Sequence, residues 1–128
     1  MRSDEELQMD AVNIAKSLMR EVRIPRREEK REKEKEGKEI TMSNLRNMLK
    51  AAEDCSRKKN WDLFALKVIY VAREASPNDD LFKFVKELLE KLNEVQSVEE
   101  RLTLAKYILT SCIYLYNAYR EGLEYLVR

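Results

Sequence analysis

Histidine is absent from this 128-residue chain, and glycine, proline and cysteine occur only twice each. Without histidine the usual general base near neutral pH is missing, as is the commonest nitrogen ligand for zinc or copper. So few glycines and prolines leave little turn chemistry for a many-stranded β fold. Also missing are GxGxxG, GxxxxGK[ST] and HExxH motifs and any Ser/His/Asp set, so no catalytic centre and no cofactor or metal site is expected. A carboxylate metal enzyme has no recognisable ligand spacing to stand on. Net charge is nearly absent as well, because 25 Lys and Arg offset 24 Asp and Glu to leave +1. Bulk charge therefore points to no polyanionic partner.

Two further absences concern the compartment. Cys55 and Cys112 belong to no CxxC or Cys/His spacing and fall within apolar periodic runs, which reads as small buried hydrophobes in a reducing cytoplasm. No secretory leader is recognisable. The least charged window, Leu102 to Tyr119, still carries Lys106, Asn117, Thr103, Thr110 and Ser111, poor material for a lipid-facing span. A cytoplasmic protein without a membrane partner is expected.

What is present is helical periodicity. Apolar residues make up 44% of the chain, enough to close one core, so residues 1–128 read as a single all-α domain, a bundle of about five helices. Ser3 and Glu6 have capping-box spacing, and Leu7, Ala11, Ile14, Ala15, Leu18 and Val22 follow on one face until Pro25. From Arg26 to Glu36 every residue is Lys, Arg or Glu. A charged connector at about 26–38, either a solvated helix or a linker, follows from the lack of any apolar stripe, and Gly37 supplies a stop.

Helix two is expected from about Ser43 to Cys55, with Thr41 or Ser43 as its cap and Leu45, Met48, Leu49 and Ala52 as its apolar stripe. Helix three, about Trp61 to Ala75, is apolar nearly all round and is expected in the middle of the bundle. Ser76-Pro77 breaks it. Asn78 or Asp79 can cap helix four, whose core face is Leu81, Val85, Leu88, Leu92 and Val95. Ser97 and Glu100 repeat the capping-box spacing and open a long fifth helix running toward the last residues, with Leu102, Ala105, Leu109, Cys112, Tyr116 and Leu123 facing the core. Tyr107, Tyr114 and Tyr125 align on its other side. That face needs a cover, either helix one or another subunit; base stacking by these tyrosines is a weaker third reading.

Charge is unevenly distributed. Residues 43 to 73 hold seven Lys/Arg against three Asp/Glu, a local +4, and residues 76 to 101 hold four against seven, a local −3. Arg46, Lys50 and Arg57, at offsets of four and eleven, fall within about 40° of one another on helix two, and Lys58 and Lys59 follow directly. Such a row can track a phosphate backbone, giving affinity without base specificity and a strong dependence on salt. Asn44, Asn47 and Asn60 stand ready to add hydrogen bonds, and Lys67 and Arg73 extend the basic character into helix three. Against this, a charge run is more often a solvated helix face than a binding site.

The stretch Ile40-Thr41-Met42-Ser43-Asn44-Leu45-Arg46-Asn47-Met48-Leu49 resembles the hydroxyl-rich, Leu/Ile-Arg helix start of the small helical subunit of the type III-A CRISPR Csm effector complex. Met42 and Asn44 stand where a second threonine and a glutamine would be expected. The resemblance implies a non-catalytic subunit along the belly of the effector filament, present in more than one copy beside the guide RNA and its target RNA. It places target cleavage in a different backbone subunit, and DNase and cyclic-nucleotide chemistry in the large subunit. Arg46 matches the arginine of the motif and is the first expected RNA contact. A purely structural adaptor that self-associates or scaffolds an assembly is the competing expectation.

Overall fold

The computed structural model describes residues 2–22, 24, 40–74 and 79–127. The charged connector at about 26–38, Pro25, Ser76-Pro77 and the candidate cap Asn78 lie outside the described residues. Among those described, the fold is all helical: α1 (Asp4–Arg20), α2 (Met42–Lys58), α3 (Trp61–Glu74), α4 (Asp79–Asn93) and α5 (Val98–Arg120), followed by a short 3-10 turn, Glu124–Leu126.

Local chemistry sets most of the helix ends. Ser3 Oγ accepts from the Glu6 amide at 3.2 Å and starts α1, and Ser97 Oγ accepts from the Glu100 amide at 3.3 Å and starts α5. Of the two candidate caps for α2, Thr41 takes the position. Its hydroxyl accepts from the Asn44 amide at 3.1 Å while the Asn44 side chain accepts from the Thr41 amide at 3.0 Å, a reciprocal capping box. Ile40 and Leu45 occupy the flanking staple positions, and both are fully buried.

The α2–α3 junction is tight. Lys59 adopts a left-handed conformation at φ 52°, ψ 40°, and the Asn60 amide returns to the Cys55 carbonyl at 3.0 Å, closing the helix in the Schellman manner. The Asn60 side chain then accepts from the Leu63 amide at 3.0 Å and caps α3. One residue thus ends one helix and starts the next.

Contacts at the helix ends define an up-down bundle. The Arg2 amide donates to Glu100 and Tyr107 donates to Asp4, so α1 runs parallel to α5. Thr41 and Arg46 lie beside Tyr116 and Arg120, so α2 runs antiparallel to it. Lys83 Nζ meets Glu21 Oε2 at 2.9 Å, placing the start of α4 beside the end of α1; both side chains are mostly exposed, and the pair adds little stability.

The middle position belongs to α5, not to α3. α1 and α2 make their most extensive packing against α5, whose buried Leu102, Leu104, Ala105, Ile108, Leu109, Cys112, Leu115 and Tyr116 span an arc of about 160°. On α3 only Phe64, Val68 and Ala72 are buried. Apolar composition was a poor guide here: α3 leaves Leu66, Ile69 and Tyr70 in solvent, whereas α5 fills its central role partly with alanine, cysteine and tyrosine. Phe84 on α4 and Leu104 on α5 join the core beyond the expected stripes.

Arg101 ties three helices together at one end. Its guanidinium donates to the Val95 carbonyl, from Nε at 2.9 Å and also through Nη2, and lies 4.7 Å from the centre of the Trp61 ring. A cation of α5 thereby satisfies a carbonyl after α4 and covers the indole at the start of α3.

The left-handed Lys59 offers a direct test of the turn. Replacing it with glycine removes the Cβ strain of that conformation but adds backbone entropy to the unfolded chain; Lys59→Gly is expected to stabilise the fold by about 0.5–1 kcal/mol. Urea unfolding should show a higher midpoint with an unchanged slope.

Candidate nucleic-acid interface

α2 is regular from Met42 to Lys58, so Arg46, Lys50 and Arg57 share one side of it as their spacing requires. All three are exposed, as are Lys58 and Lys59. The row is less uniform than the spacing of its cations suggests. Glu53, seven residues after Arg46, is exposed within about 20° of the same line, and the Arg57 guanidinium is held by Asp54 at 2.8 Å. Two clusters remain: Arg46 and Lys50 toward the start of α2, and Lys58 with Lys59 at its end. Arg46, Lys50, Lys58 and Lys59 form no ion pair among the described residues.

The start of α2 opens onto a cleft of about 430 Å3 lined by Thr41, Met42, Ser43, Arg46, Tyr116, Asn117, Arg120 and Glu121. Here the antiparallel packing of α2 on α5 brings Arg120 to the same cleft as Arg46, two guanidinium groups with one carboxylate. The first-turn amides of Met42 and Ser43 have no protein acceptor among the described residues, and the positive end of the helix dipole lies there too. Donors and cations converge, an arrangement suited to an anionic oxygen. Sequence spacing within α2 held no sign of Arg120, because the two arginines are joined only by tertiary packing.

The other expected polar contacts have different duties. Asn44 is spent in the capping box and Asn60 in capping α3; Asn47 is exposed. Lys67 is half-buried and Arg73 exposed on α3, a different helix from the row on α2. Cys55 and Cys112 are both free and buried, and burial pushes the Cys112 thiol well up, which leaves it protonated and unreactive. No group of three Cys, Asp or Glu side chains able to hold a metal occurs among the described residues, and no described helix is long and apolar enough to cross a membrane.

The three tyrosines do not form one face. Tyr107 is half-buried beneath α1, its hydroxyl donating to Asp4 Oδ1 at 2.6 Å; helix one is its cover. Tyr114 is 69% exposed on α5. Tyr125 is exposed but lies beyond α5, in the 3-10 turn, because the helix stops where Gly122 turns left-handed at φ 71° and the Leu123 amide returns to the Ala118 carbonyl at 2.8 Å. Leu123, expected on the core face, is exposed for the same reason.

The Asp4 contact also has a pH signature. The hydrogen bond to Asp4 is the main cause that raises the Tyr107 phenol above its ordinary value. Because the folded value is the higher one, the contribution to stability is complete at neutral pH and is lost as pH rises past about 10, the unfolded value, and through the folded value. Tyr107→Phe is expected to lower the melting temperature at neutral pH, and the gap from wild type should narrow above about pH 10. No protein-family model, curated protein or solved structure matches the chain.

Proposed function

We propose that this chain is a non-catalytic RNA-binding subunit that holds a guide or target strand by its phosphate backbone, in the manner of the small subunit of a type III-A CRISPR effector complex. The observation that carries the reading is the cleft at the start of α2, which Arg46 and Arg120 line together with Met42 and Ser43, whose amides have no protein acceptor among the described residues. The ten-residue motif beginning at Ile40 supports it from the sequence side. Arg46 is the principal contact, Lys50 follows one turn on, and Lys58 and Lys59 provide a second point at the far end of the same helix. Lys59 adds a small argument of its own, since a glycine would meet its left-handed geometry with less strain, and a lysine there completes a run of three exposed cations with Arg57 and Lys58. Arg57 contributes less, being shared with Asp54.

Base pairing between guide and target would supply sequence specificity, and this protein would supply position. Arg46→Ala combined with Lys50→Ala is expected to weaken binding to unrelated RNA sequences alike and to flatten the slope of log affinity against log salt by about 1.4, two single-strand phosphate contacts. Filter binding or anisotropy across a salt series measures both. Unchanged affinity and slope would remove this site.

Scaffolding is the second reading, and Tyr114 favours it. This exposed aromatic on the central helix has only solvent for a partner among the described residues, and such a side chain suits a contact with a neighbouring subunit. Size-exclusion chromatography with light scattering is expected to show concentration-dependent self-association that Tyr114→Arg abolishes. A strict monomer at high concentration would count against it.

A further inference from the structure

α3 carries a feature that neither the cationic row nor the core uses. Leu66 and Tyr70, one turn apart, are 64% and 61% exposed on the outer side of the helix, and Ile69 is exposed beside them. The Tyr70 hydroxyl donates to Glu74 Oε1 at 2.6 Å, so a surface ring that would otherwise sample several rotamers is held along the helix by a bond at its far end. Lys67 and Arg73 lie three residues to either side of it, which puts a cation about 60° away on each flank, one turn before and one turn after. The acidic neighbour, Glu74, is already engaged by the phenol. α3 also begins at the turn that bears Lys58 and Lys59, with only Asn60 between.

A flat, oriented aromatic bracketed by cations is how proteins hold single-stranded nucleic acid without reading its sequence: the ring stacks on a base and the cations meet the phosphates on either side. We infer that Tyr70 is a base-stacking platform for single-stranded RNA, with Lys67 and Arg73 meeting the adjoining phosphates and Leu66 extending the apolar floor. A protein partner would also bury Leu66 and Ile69. The paired cations and the tethered ring favour a strand of alternating base and phosphate over an apolar helix, which would leave Lys67 and Arg73 facing it unpaired. The inference rests on the RNA-binding reading and deepens it, because it assigns this helix to unpaired nucleotides.

The test compares a short oligoadenylate carrying 2-aminopurine, an abasic strand of the same length, and a duplex. With wild-type protein the oligoadenylate is expected to bind more tightly than the abasic strand, with quenching of the 2-aminopurine fluorescence on stacking. Tyr70→Ala should weaken oligoadenylate binding by about 5- to 100-fold, abolish the quenching, and leave duplex and abasic binding unchanged. Tyr70→Phe, which keeps the ring and loses only the Glu74 bond, should retain most of the affinity. Tyr70 is a surface residue, and circular dichroism with thermal melting confirms that each variant is folded. Equal losses on all three ligands, or no loss on any, would overturn the stacking role while leaving the Arg46 site standing. If the wild-type protein binds none of the three, the RNA-binding reading falls and this inference with it. Loss of self-association in Tyr70→Ala, with RNA binding intact, would instead assign the face to a protein partner and overturn the inference.

Discussion

Close approach of α1 and α2 to α5 is the constraint on which the rest of the structure depends. Ala11 and Ala15 on α1, Ala51, Ala52 and Cys55 on α2, and Ala105 and Cys112 on α5 are all buried, most of them completely. Small side chains let helix backbones come near one another, and interiors packed to crystal-like density absorb added volume poorly. The larger residues, Phe64 and Phe84 among them, fill the wider spaces toward α3 and α4. A bundle built this way is tight along α5 and looser at its rim, where the exposed side chains of α3 lie. The cleft at the start of α2 exists because of that tightness, since only close antiparallel packing brings the end of α5 to Arg46.

Much of the fold was legible in the sequence. The Ser3 and Ser97 caps, the α1, α2 and α4 stripes and the five helices of the described residues follow from spacing and capping chemistry, which act over a few residues and leave a local imprint; for α2 the spacing left Thr41 and Ser43 both open as caps. What sequence spacing missed was tertiary. α3 has the more apolar composition, yet α5 is central, because burial depends on which faces find partners and not on how many apolar residues a helix holds. The single tyrosine face on α5 failed for a different reason: the angular arithmetic assumed a continuous helix through Tyr125, and Gly122 ends it first. Arg101 is another such case. Its spacing shows a charged residue in the first turn of a helix, and only the folded chain shows the Val95 carbonyl and the Trp61 ring that receive it.

The candidate site divides along the same line. Exposure of Arg46, Lys50, Arg57, Lys58 and Lys59 could be read from periodicity, since none falls on the apolar stripe of α2. Their availability could not. Asp54 claims Arg57 through a bond across one helical turn, and Arg120 enters from 74 positions away in sequence (120 − 46). Electrostatic function here depends on which charges remain uncompensated after packing, a property that segment totals of +4 and −3 do not contain.

α2 carries cations near both of its ends, and it is regular and capped on each side. From Arg46 to Lys58 the helix advances twelve residues, or about 18 Å. It therefore acts as a ruler. On the proposed RNA-binding reading, the axial separation of two phosphates gripped at its ends would be set by the helix backbone. Inserting a single residue between them would move the far cation by only about 1.5 Å, yet would swing it about 100° around the helix axis. Length changes in α2 are thus constrained by direction far more than by distance: Lys58 sits about 120° around the axis from Arg46, and only whole turns preserve that angle.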